Sequence, residues 1–96
     1  MHINEFQKLM QQIYSLRDFE RGKEKTIDWL KDEVEELEAA LNEGDINAAE
    51  KEFADVLAWL ASLANIVNIN LEKAAFSKYN NKCPKCNHNP CDCPVS

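Results

Sequence analysis

Apolar positions recur at helical spacing along most of this chain, and no alternating run of Val, Ile and Thr marks a strand. Phe6, Met10, Ile13, Tyr14 and Leu16 predict a first helix from about Asn4, as N-cap, to about Phe19, with Gly22 closing it in a short basic turn. A second helix is expected from Thr26, whose hydroxyl can cap it, to Leu41, before the turn Asn42-Glu43-Gly44-Asp45. Its apolar residues Ile27, Leu30, Val34, Leu37 and Leu41 step by three and four and stay within a stripe about 80° wide, a packing seam. Asn47 with Glu50 three residues on resembles a capping box for a third helix reaching about Val67, whose face of Phe53, Val56, Leu57, Leu60, Leu63, Ala64 and Val67 is wide enough for more than one neighbour. Asn70 caps a short fourth helix, Leu71 to about Tyr79. The expectation is an all-α, four-helix body over residues 1–82, followed by a Cys-rich tail over 83–96.

Composition narrows the possibilities. Ninety-six residues with 45% hydrophobic content make one domain and exclude a multidomain enzyme. A body of about 80 residues buries only about 60% of its unfolded surface, so the spare apolar face predicts a homo-oligomer, a dimer or tetramer. No run approaches the roughly 18 to 20 apolar residues of a membrane span, and the N-terminus lacks an export signal, so no membrane partner and a cytoplasmic location are expected. The net charge of −6 repels a phosphate backbone, and no DNA or RNA polymer is expected as partner.

The charge is concentrated. Residues 28–55 hold eleven acids against Lys31 and Lys51. Within that stretch Glu33 with Glu36, and Glu52 with Asp55, are i, i+3 pairs, each projecting from one helix face beside the apolar stripe. An antiparallel pairing of the two helices brings both pairs to one groove. Four carboxylates so close repel one another, and a hard divalent cation with oxygen coordination, Mg²⁺ or Mn²⁺, offsets that; the loop of a calcium site is absent. Asp28, Glu35, Glu38 and Glu43 read as solvated surface.

Trp29-Leu30-Lys31-Asp32-Glu33-Val34-Glu35-Glu36-Leu37 and Glu52-Phe53-Ala54-Asp55-Val56-Leu57, with sixteen positions from Glu36 to Glu52, resemble the paired acidic motifs of the MazG-like nucleotide pyrophosphohydrolases over roughly residues 3–82. Asp32 departs from the pattern, standing where Glu is common. The resemblance implies the all-alpha NTP pyrophosphatase fold, usually oligomeric. It also implies Mg²⁺-dependent hydrolysis of nucleoside or deoxynucleoside triphosphates to monophosphate and pyrophosphate, as nucleotide-pool house-cleaning. Glu33, Glu36, Glu52 and Asp55 would hold the metal, and Glu36 or Glu52 would accept the proton of the attacking water. Lys78 resembles the family's late Lys, which with Asn81 or Asn80 would contact phosphates; Gln7, Gln11 and Arg21 would lie near the base. Trp29 and Trp59, each one turn from an acid, either stack on the base or fill the core.

All four cysteines fall in the tail as Cys83-Pro84-Lys85-Cys86 and Cys91-Asp92-Cys93. Two close pairs can close a tetrahedral thiolate site for structural Zn²⁺, with Asn87 tolerating the left-handed turn after the first pair. A disulfide, a four-thiolate iron site and an unstructured tail are the alternatives. The competing functional class is a non-catalytic acidic helical interaction module with a zinc-stabilised docking tail.

Overall fold

A long helix is interrupted once where a glycine leaves helical geometry, and this event sets the architecture. The computed structural model describes residues 1–95. Ser96, the last residue of the expected tail, lies outside them. Three helices follow one another: α1, Ile3–Glu43; α2, Ile46–Ile66; and α3, Leu71–Lys78, with no strand among the described residues. The four expected helices are therefore three, because the first two are joined. The break at Gly22 (φ 81°, ψ 172°) consumes one residue, and helix resumes at once on its far side, so no basic turn separates the arms 3–21 and 23–43. Those angles belong to a region that is essentially glycine-only.

Three of the expected caps move. His2 precedes α1, its backbone N–H donating to the Glu5 carboxylate at 3.0 Å. Asp45, not Asn47, caps α2 by accepting from the Ala48 N–H at 3.1 Å, two residues earlier than the expected capping box. Thr26 caps nothing: it is fully buried, and its hydroxyl donates to the Gly22 carbonyl at 2.6 Å while accepting from Arg21 Nε at 2.9 Å. Asn70 does cap α3, accepting from the Lys73 N–H at 2.9 Å.

Gly44, in the left-handed conformation (φ 73°), ends α1 and reverses the chain, so the arm 23–43 and α2 form an antiparallel hairpin. Its register is symmetric about Gly44. Glu36 and Glu52, Glu33 and Asp55, Trp29 and Trp59, and Thr26 and Ser62 stand eight, eleven, fifteen and eighteen residues to either side of it. Those steps of three, four and three keep each set on one helix face. Ala40, Ala49, Thr26 and Ser62, all small, are buried along the helices that carry it. The expected apolar seam is only partly covered: Ile27, Leu30 and Leu37 are half-buried, whereas Val34, Leu41, Phe53, Leu57 and Leu60 are 40 to 56% exposed.

The arm 3–21 packs against the C-terminal half of α2. Gln7 is the clamp: its amide nitrogen donates to Asn65 Oδ1 (3.0 Å) and the Ile69 carbonyl (2.7 Å), and its amide oxygen accepts from the Leu71 N–H (2.9 Å). One buried side chain thus ties all three helices together. The accessible surface, 7624 Å² for 11.0 kDa, exceeds the roughly 5600 Å² of a compact monomer of this mass. The radius of gyration, 15.7 Å, likewise exceeds the about 12.5 Å of a compact chain. Leu16 and Phe19 on the first arm add to the uncovered apolar surface.

No single helix among the described residues is long and apolar enough to cross a membrane; α2 and α3 together reach the necessary composition but meet at a 98° bend.

Candidate active site

The mirrored register brings Glu33 and Glu36 together with Glu52, and leaves Asp55 outside that cluster. Carboxylate oxygens of Glu33, Glu36 and Glu52 lie within 4.8 Å of one another. Asp55 adds its charge to both Glu33 and Glu52, and borders a cavity on the side toward Trp59. Burial pushes the Glu33 carboxyl up to about 7, reinforced by a hydrogen bond that its protonated form donates to Glu36 and by repulsion from Glu36, Asp55 and Glu52. Glu52 is raised by the same causes, burial first and then the charges of Glu36 and Asp55.

One oxygen each of Glu33 and Glu52 is buried with no hydrogen-bond partner. Buried carboxylate oxygens without donors are costly, and a cation is the partner that satisfies several at once. Around Mg²⁺, oxygens at about 2.0 to 2.1 Å lie roughly 3 Å apart when adjacent and about 4 Å when opposite, so small rotamer adjustments bring this cluster to coordinating distance. The residues therefore fit a hard divalent metal, with Glu33, Glu36 and Glu52 at its centre and Asp55 beside it.

Next to the acids is a cavity of about 290 Å³ bordered by Tyr14, Arg17, Asp18, Arg21, Asp55 and Trp59. Trp29 and Trp59 stack on each other, centroids 5.4 Å apart at 18°, and the Arg21 guanidinium lies 4.6 Å from the Trp59 ring centre. Trp59 is thus engaged by protein groups, whereas Trp29 remains half-exposed. Arg21 also pairs with Asp18, a residue that sequence reasoning passed over. Asp18 is buried, and a lone Asp three positions before an Arg carries no signal that separates it from surface charge.

Other expected residues lie elsewhere. Gln7 is spent on the interhelical clamp, and Gln11 borders the cavities beside Asn65 rather than the one beside Trp59. Within the single chain Lys78 and Asn81 are not joined to the acid cluster. Helix α3 hydrogen-bonds to the start of α1, at Asn4 and Gln7, and Lys78 Nζ sits 5.8 Å from the ring centre of its neighbour Tyr79. The Asn81 carbonyl accepts from Asn89, a contact with the tail.

In the tail the sulfurs of Cys83, Cys86, Cys91 and Cys93 all lie within 4.8 Å of one another, with Cys83 to Cys93 at 3.7 Å and Cys86 to Cys91 at 3.9 Å. A tetrahedral ion with Zn–S bonds of about 2.3 Å requires S···S edges of about 3.8 Å. Asn87, at φ 64°, turns the chain so that its N–H donates to the Cys83 carbonyl at 2.8 Å, while the Cys83 N–H donates to the His88 carbonyl at 2.9 Å. Backbone N–H groups of Cys86 and Lys85 pull the Cys83 thiol down to about 6, and hydrogen bonding of the Cys93 S–H toward the sulfurs of Cys91, Cys86 and Cys83 pushes Cys93 up to about 12. The donor set and its spacing fit a thiolate-bound metal. His88 is not in the set; its Nδ1 pairs with Asp92 at 2.7 Å, holding that carboxyl below its ordinary range.

Among curated proteins none matches this chain. The family model described as the MazG nucleotide pyrophosphohydrolase domain matches residues 21–87, a span holding both acid pairs, both tryptophans and the first two cysteines. With most of its length matched and three of its four paired acids converging on one cluster, the chain belongs to the MazG nucleotide pyrophosphohydrolase family, whose members generally depend on divalent metal.

Proposed function

We propose that this protein hydrolyses nucleoside or deoxynucleoside triphosphates to the monophosphate and pyrophosphate, as a nucleotide-pool house-cleaning enzyme. The observation that carries the reading is the convergence of Glu33, Glu36 and Glu52, two of them with buried oxygens that lack a donor, in a chain of this family. Glu33, Glu36, Glu52 and Asp55 would hold Mg²⁺ or Mn²⁺, which supplies charge neutralisation of the triphosphate and a bound water of lowered pKa. The protein's own task is to orient that chain of phosphates and to take a proton. Water oxygen attacks the α-phosphorus, the bond to the bridging oxygen breaks, pyrophosphate leaves with its electron pair, and the water's proton passes to a carboxylate. Glu36, exposed beside the half-buried Glu33 and Glu52, is open to such a water, and Glu52 is the second candidate.

The tail is read as a structural zinc knuckle of Cys83, Cys86, Cys91 and Cys93, and four free thiols suit the reducing cytoplasm. A homo-oligomer is supported by roughly 2000 Å² of surface beyond that of a compact monomer and by the outward apolar stripe. Lys78 and Asn81, remote from the acids in one chain, would then meet phosphates only across an interface or after α3 moves.

Pyrophosphate release assayed across the common NTPs and dNTPs, with and without Mg²⁺, tests the reading. Turnover is expected with Mg²⁺ only, and Glu36→Gln should lower it at least about a hundredfold with helicity retained. No turnover on any triphosphate favours the interaction-module class; wild-type activity in Glu36→Gln contradicts the site.

A further inference from the structure

One buried charge is not accounted for by the fold or by the metal cluster. The Asp18 side chain is 4% exposed; its Oδ1 accepts from Arg21 Nη2, while Oδ2 is buried with no donor. Locking the kink explains only the first oxygen, because Arg21 spends its Nε on Thr26 and offers Asp18 a single nitrogen. A buried carboxylate oxygen left without a donor is costly, and an N–H from a bound molecule is a partner that would satisfy it.

The surroundings indicate where that N–H comes from. Asp18 borders the 290 Å³ cavity, and so does Asp55, which adjoins the acid cluster. Along α2, Asp55, Trp59 and Ser62 follow one face, and the rise from Asp55 to Ser62 is about 10 Å, comparable to a nucleoside laid end to end. A nucleotide whose phosphates lie at the acids therefore points its base toward Asp18. A second cavity, beside Ser15 and Phe19, also touches Asp18 but includes none of the acid cluster.

We propose, on the basis of the pyrophosphohydrolase reading, that Asp18 reads the base. Its free oxygen accepts from an exocyclic amino group, so adenine, cytosine and guanine nucleotides are selected over those of uracil and thymine. The amino bases present an NH₂ donor beside a ring nitrogen, and Arg21, paired with Asp18, offers the matching donor. Uracil and thymine present one ring N–H flanked by two carbonyl oxygens, which a carboxylate repels. Asp18 lies on the first arm of α1, outside the span 21–87 matched by the family model.

The test compares kcat/KM for ATP, CTP, GTP and UTP in the wild-type chain and in Asp18→Asn, which keeps an acceptor for Arg21 and replaces the free oxygen with a donor. The wild-type chain should prefer the amino bases at least about tenfold, and the variant should lose or invert that ratio. A ratio unchanged by Asp18→Asn, or no preference in the wild-type chain, overturns the proposal. A substrate-side comparison needs no variant: purine riboside triphosphate, which is ATP without its amino group, should be used at least about tenfold less well than ATP. Equal use overturns the proposal. Binding of AMP, CMP and UMP, followed by tryptophan fluorescence, separates this idea from the catalytic one. A preference for AMP and CMP abolished by Asp18→Asn, in a chain that cleaves no triphosphate, sustains the base site and removes the reaction. Turnover with a base ratio indifferent to Asp18→Asn does the reverse.

Discussion

Replacing Thr26 by Val removes one hydroxyl from a fully buried position while keeping the side chain's shape. That hydroxyl accepts from Arg21 Nε at 2.9 Å and donates to the Gly22 carbonyl at 2.6 Å, spanning the one break in α1. A hydrogen bond to a charged group contributes about 1.5 to 3 kcal/mol, and stranding a buried carbonyl costs about 1 to 3 kcal/mol. The added methyl returns about 1 kcal/mol through apolar burial, leaving a net loss of roughly 1.5 to 5 kcal/mol. For a domain of this size each kcal/mol corresponds to about 4 to 8 °C, so the melting temperature should fall by at least about 6 °C. The assay is thermal melting followed by circular dichroism at fixed protomer concentration. Thr26→Ser is its control: it keeps the hydroxyl, loses one methyl and should cost only about 1 kcal/mol. A Thr26→Val chain that melts within about 3 °C of wild type, or above Thr26→Ser, would refute the idea that this hydroxyl holds the kink.

Three further outcomes follow from the same geometry. Gly22→Ala should destabilise by about 1 to 3 kcal/mol through backbone strain alone, since an added Cβ meets nothing within 4 Å; an equal or higher melting temperature would contradict the kink. In EDTA, stability should be greatest below Glu33's unfolded value near 4.5 and decline as pH rises through about 7, because the folded chain holds that proton more tightly than the unfolded one. Excess Mg²⁺ should cancel the decline and Glu33→Gln should flatten it; an unchanged slope in Glu33→Gln, read from melting temperature against pH, counts against the cluster. Finally, the purified chain should carry one zinc ion per protomer by atomic absorption and lose it in Cys83→Ser. Its helical ellipticity should change little, because no hydrogen bond seen here joins residues 83–93 to the three helices.

Much of the site is written in local spacing. Glu33 with Glu36 and Glu52 with Asp55 share helix faces by period alone, and once Gly44 is taken as the turn, equal distances to either side pair acid with acid and Trp29 with Trp59. Asn70 capping α3 and the cysteine spacing are equally local. Such features depend on a few neighbouring residues and a fixed helical geometry, which is why they can be read without coordinates.

Other features required the tertiary structure. The helical wheel alone places Val34, Leu41, Phe53 and Leu57 at the hairpin contact, yet the chain turns them outward, burying the small Ala40, Ala49, Thr26 and Ser62 within the fold. Hydrophobicity records that a face must be covered; it does not say whether the chain's own partner helix covers it. Gly22 marks where the first helix breaks but not that helix resumes at once beyond it, so the break was legible and the joined α1 was not, and Thr26, placed like a cap, instead closes the kink with its hydroxyl. Asp18 became meaningful only through residues distant in sequence: Trp59 and Asp55 come to it from α2, more than 35 positions away. Local sequence determined helices and their acid teeth, whereas burial, the sum of contacts over the whole chain, decided which charges face a cavity and which apolar faces remain bare.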